Sequence, residues 1–141
     1  MTVETSIADV TAALERVAAT VLIAVTELHE QFAGHKITVT PDGAGGVFVV
    51  IDDVEPGAPY VEASTWLGFQ ITAAYPDADV YPHFSGRIHR TDGRPHGEGF
   101  AEAEWQTRPA LQLSRRSNRW NSQRDNAALK AAKVLSWFGS Q

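Results

Sequence analysis

The sequence predicts an α+β domain: a long N-terminal helix, a four-stranded antiparallel meander, a long irregular segment and a closing C-terminal helix. Three observations carry that expectation. Apolar residues recur at steps of three and four near the N-terminus, the pattern turns to alternation after Gly34, and helical spacing returns only past residue 124. A chain of 141 residues fits one domain over 1–141, and at this size it buries about two thirds of its unfolded surface without staples.

Residues 6–33 read as the first helix. Val10, Leu14, Val17, Val21, Val25, Leu28 and Phe32 form one stripe, Ser6 with Asp9 makes a weak capping box, and Gly34 suits the exit. Such a stripe packs on a sheet, and nothing in it requires a coiled-coil seam. "HKITVT" (35–40) and "VFVVIDDV" (47–54) flank the turn cluster "PDGAGG", which makes a hairpin. In "TWLGFQIT" (65–72), Thr65, Leu67, Phe69 and Ile71 share one face and Trp66 the other, giving a third strand. Residues 73–83 hold two Tyr-Pro pairs and read as an extended loop, because each proline restricts the residue before it. "FSGRIHR" (84–90) reads as the fourth strand, ended by "TDGRPHGEG". Residues 124–138 close the chain as a helix whose turns are set by Leu129, Ala132, Lys133, Ser136 and Trp137.

Composition narrows the chemistry. Hydrophobic residues at 43% and charged residues at 21% exclude disorder as the dominant state. Twelve Lys and Arg against 17 Asp and Glu leave a net charge of −5, which argues against nucleic acid as a whole-surface ligand but permits a local basic patch. With no cysteine there is no disulfide, no thiolate zinc site and no Cys nucleophile. That usage, with no run of about 20 apolar residues and no secretory pattern in "MTVETSIADV", is the expectation for a cytoplasmic protein without a membrane span.

Several groups could carry chemistry. His83, His89 and His96 are candidate bases, but their spacing matches no zinc motif, so neither a metal nor a cofactor is expected. Ser85, Ser114 and Ser117 are candidate oxyester nucleophiles, although spacing pairs none of them with a histidine. Arg115, Arg116 and Arg119 stand beside Trp120 in "SRRSNRW". Their planar forks suit carboxylates inside the domain, with Asp125 at the start of the last helix to hand, or on an acidic partner. A nucleic-acid backbone is the third option; the acidic whole and the lack of a second basic cluster argue against it. The glycine-rich "DGAGG" lies between strands and reads as a hairpin loop, not a phosphate cradle.

Three stretches resemble the ubiquitin-conjugating (UBC-like) superfamily, in particular its divergent prokaryotic branch. "YPDADVYPHF" (75–84) is similar to the Tyr-Pro…Pro-Pro-x-x-Phe segment between the family's third and fourth strands. "HRT" (89–91) falls where the family has His-Pro-Asn, and "WQTRPALQLS" (105–114) is similar to the Trp-Ser-Pro-Ala-Leu-Thr-Ile-Ser run after its active site. The resemblance implies a bacterial protein that accepts or presents a ubiquitin-like protein delivered by an activating enzyme, or a non-catalytic variant that only binds that partner. It implies catalytic positions at His89, Thr91, Ala101, Ala103 and Trp105, with the nucleophile itself substituted or replaced, since 96–104 holds no Cys. Thr91 stands where the family's Asn donates to the oxyanion. Partner contacts would fall on Tyr75, Pro76, Tyr81, Pro82, Arg115, Arg116 and Arg119.

Overall fold

The computed structural model describes residues 16–141. Helix α1 (Ala19–Gln31) leads into strands β1 (Ile37–Pro41), β2 (Val47–Val54), β3 (Thr65–Ile71), β4 (His83–Ser85), β5 (Phe100–Trp105) and β6 (Arg108–Leu113), and helix α2 (Ala127–Gly139) closes the chain. All six strands join one antiparallel sheet in the order β1-β2-β3-β4-β6-β5.

Alternation decides which face the helices cover. Val47, Val49 and Ile51 on β2 and Leu67, Phe69 and Ile71 on β3 point into one core with Val21, Ala24 and Leu28 of α1 and Ala131, Val134 and Phe138 of α2. Their pairings, such as Val49 with Phe69, hold those side chains in register, and a one-residue slip would turn the whole set to the other face. The opposite face carries a row of rings: Phe84 stacks on Trp105 at 5.1 Å, and Trp105 on Trp66 at 5.9 Å. Gly68 sits beneath that row, because a Cβ there would overlap the Trp105 ring.

The expected UBC-like architecture is corrected by this sheet. Four strands in sequence do form a meander, but residues 100–113, expected as an irregular active-site segment, make a β5–β6 hairpin that extends the sheet to six strands through β4. Phe100, Leu111 and Leu113 supply the reason, since their inward side bears on the core. The N-terminal helix is short rather than long. Its first described turn begins at Ala19 because Ala18 is extended and its N–H donates to Gly45 O at 2.9 Å, which ties the chain to the β1–β2 turn. Residues 6–15 of the expected helix lie outside the described residues. Strand β4 stops at Ser85 instead of running to 90, and 73–83 turns instead of extending, with Ala78 N–H bonded to Ala74 O at 3.1 Å. Helix α2 starts at Ala127, where the Asn126 side chain accepts from Leu129 N–H at 2.8 Å.

Candidate functional site

Past β6 the chain leaves the sheet and arches over α2. Three bonds fix the arch: Ser114 N–H to Gly99 O at 2.7 Å, Trp120 Nε1–H to Pro76 O at 2.7 Å, and Asn121 N–H to the Asp125 carboxylate at 2.7 Å. Between arch and helix lies a cleft of about 470 Å³ whose charged wall is Arg115, Arg116, Arg119, Lys130 and Lys133 with one carboxylate, Asp125, and which Trp137 also lines. The Arg115 guanidinium lies 6.0 Å from the Trp137 ring and that of Arg116 lies 4.5 Å from the Tyr81 ring. Stacking of this kind holds the plane of the guanidinium while leaving its N–H edge free to donate.

Among the described residues none of Arg115, Arg116 and Arg119 has a carboxylate within 4.0 Å. Asp125, the internal partner suggested by the sequence, instead pairs with Lys133 at 3.6 Å. Its acceptance of the Asn121 N–H, with Lys133 beside it, holds its carboxyl below the usual range.

Beneath the cleft sits a polar cluster that sequence spacing did not reveal. Lys130 is 3% exposed, and its Nζ donates to Asp79 Oδ2 at 3.1 Å and to Ser117 Oγ at 2.7 Å. Burial pulls the Lys130 ammonium below its ordinary value while Asp79 opposes that shift. Its Nζ bridges Asp79 and Ser117, so it positions the Ser117 hydroxyl beneath the cleft. His83, on β4, is fully buried against Phe69 at 4.9 Å, and burial drives its pKa down to about 3. Neither ring nitrogen has a hydrogen-bond partner among the described residues, so this histidine is a neutral core group. Ser85 is also buried and donates to Gly86 O, and Ser114 lies at the end of β6.

The residues named from the family resemblance fall into separate places. His89 is exposed on the loop after β4; its Nδ1 lies 2.6 Å from Glu62 Oε1, and its N–H donates to Glu62 Oε2 at 2.8 Å. Both bonds hold the Glu62 carboxyl below its usual value. The loop is strapped to 59–61 by a Tyr60–Arg90 bridge, and Thr91 donates both its N–H and its hydroxyl to Pro59 O, at 2.8 and 3.3 Å. That spends the hydroxyl proposed for an oxyanion. Ala101 and Ala103 pair with Gln112 and Ala110, and with Trp105 they occupy the ring-bearing face of the sheet. The β5 side chain that shares a cavity with His89 is Glu102 instead.

Tyr75 is buried, and its hydroxyl accepts the Ala127 N–H at 3.1 Å, so it anchors the start of α2. Pro76 accepts from Trp120, Pro82 is half-buried, and Tyr81 supports Arg116. The Ser114 and Arg116 side chains beside Tyr81 hold its phenol below the usual value. Of the expected partner-binding set, the fold thus gathers Arg115, Arg116 and Arg119 along one cleft, with Tyr81 against Arg116, and adds Lys130 and Lys133. A faint signal for that addition was present, since lysines three apart on a helix face one way. Among the described residues no group of His, Asp and Glu could hold a metal ion, and no helix is long and apolar enough to cross a membrane. The chain matches no family model, no curated protein and no solved structure.

Proposed function

We propose that this protein is a non-catalytic binding module that holds an acidic segment of a partner protein in the cleft between residues 115–119 and α2. One observation carries the reading: in a chain of net charge −5, a single concave site is lined by three arginines that have no carboxylate within 4.0 Å among the described residues, the Asp125 carboxylate in its wall being paired with Lys133. Like charges gathered without internal partners repel, and an incoming carboxylate relieves that repulsion through short charge-assisted bonds. The ubiquitin-like protein suggested by the sequence resemblance is the proposed partner, entering by its carboxylate-bearing tail. The carrier reading has the His89–Glu62 pair in its favour but lacks a nucleophile beside it.

Fluorescence anisotropy with a labelled Glu-rich peptide tests the proposal. Each of Arg115→Ala and Arg116→Ala weakens binding about tenfold, as expected for loss of one charge-assisted contact of about 1.4 kcal/mol, and added salt weakens the wild type. Equal affinity in the wild type and in a variant with both changes would refute it.

A further inference from the structure

Four planar groups form a continuous ridge beside the cleft. His96 stacks on Phe100 at 5.1 Å, Phe100 on Trp137 at 4.9 Å, and Arg115 lies 6.0 Å from the Trp137 ring. His96, Phe100 and Trp137 are each half-buried, so part of the ridge is open to solvent. One end of it borders the cleft. The His96 end borders a second cavity, of about 230 Å³, walled by Arg87, His89, Arg90, Arg94, His96 and Glu102. This is the second basic cluster that the linear sequence conceals.

The three arginines of that cavity differ. Arg90 is held by Asp92, with Nη2 2.9 Å from Oδ2. Arg87 donates to the neutral carbonyls of Ala110 and Ala103, at 3.2 and 2.7 Å, and has no carboxylate within 4.0 Å among the described residues. Arg94 has no side-chain partner among the described residues, although Glu102 lines the same cavity. The cavity thus offers a weaker cationic site than the cleft, at the far end of a shared apolar ridge.

We infer that the cleft and this second cavity are two halves of one site, taking an extended peptide segment that carries two acidic clusters and crosses the His96–Phe100–Trp137 ridge between them. The inference rests on the acidic-segment reading of the cleft. The stack spacings place its ends within about 16 Å, a distance that about five extended residues cover. A peptide is favoured over a nucleic-acid strand because the guanidinium of Arg115 already lies over Trp137, and Phe100 is sandwiched between His96 and Trp137. Ring faces already occupied by one another leave bases little to stack on, while the open apolar part of the ridge suits aliphatic side chains.

Anisotropy with three labelled probes tests it on the full chain: a peptide with one acidic cluster, a peptide with two clusters separated by about five neutral residues, and an oligothymidylate of matching charge. The two-cluster peptide is expected to bind at least tenfold more tightly than the single cluster, through the effective concentration of its second group. Arg94→Glu is expected to abolish that gain, bringing the two-cluster peptide to the affinity of the single cluster. A two-cluster peptide no tighter than the single one, or a gain that survives Arg94→Glu, overturns the two-part site while the cleft reading stands. Failure of the single cluster to bind sinks both, and tighter binding of the oligothymidylate replaces the peptide with a nucleic acid.

Discussion

Replacing His83 with leucine should make the protein more resistant to acid. The imidazole is fully buried, packs on Phe69 and has no hydrogen-bond partner among the described residues, and burial drives its pKa down to about 3. Lys130 on α2 also disfavours its cationic form, while Asp79 favours it. A histidine in the unfolded chain titrates near an ordinary value of about 6.5. The folded pKa is the lower one, so the unfolded state binds the extra proton, and stability present above pH 6.5 is lost as the pH falls towards 3. Protonation of one free histidine favours the unfolded chain by roughly 0.2 kcal/mol at pH 7 and roughly 2 kcal/mol at pH 5. Leucine removes that proton uptake together with two unsatisfied nitrogens at similar volume, so at pH 7 His83→Leu lies within about 1 kcal/mol of the wild type. Urea unfolding of both proteins at pH 7 and pH 5 reads the effect. Comparing the two proteins at each pH isolates the contribution of position 83. The variant should gain about 2 kcal/mol on the wild type between the two pH values, and equal losses in the two proteins would refute the burial argument.

Two further substitutions probe the frame around the site. Gln106 and Thr107 join β5 to β6 with φ of 50° and 62°, a left-handed pair that a β-branched residue fills at a cost. Thr107→Gly should therefore raise stability by about 1 kcal/mol in thermal unfolding, and a loss would show that the Thr107 side chain matters more than its backbone. Lys130→Met should destabilise by about 3 kcal/mol, because it leaves Asp79 beneath the cleft without its cation. Adding Asp79→Asn to it should restore most of that loss in urea unfolding, since the amide oxygen can still accept the Ser117 N–H.

The β1–β2 hairpin was legible because Val47, Val49 and Ile51 alternate strictly beside a glycine-rich turn, and β3 was legible for the same reason. The β5–β6 hairpin was not. Its first strand, "FAEAEW", lacks β-branched residues, and its turn is Gln-Thr where an Asn-Gly or Asp-Gly would have announced it. In α2 the helical period was read correctly but the buried stripe was not. Ala127, Ala131, Val134 and Phe138 are buried in the core while Leu129 is 42% exposed, and a stripe built half of alanine gives a weak hydrophobic signal. The arginine cluster at 115–119 was plain in the sequence. Its supports came from distant stretches: Tyr81 from the loop before β4, and Lys130, Lys133 and Trp137 from α2. The same long-range folding gathers Arg87, Arg90 and Arg94 around His96.

An NMR titration of the wild-type protein with the Glu-rich peptide tests the cleft most directly. Trp137 lines the cleft beneath Arg115, whereas Trp66 and Trp105 lie on the ring-bearing face of the sheet. The account predicts that the Trp137 indole N–H and the backbone amides of 115–119 shift saturably while the indoles of Trp66 and Trp105 stay fixed. Shifts confined to Trp66 and Trp105, or none in either set at saturating peptide, would contradict it.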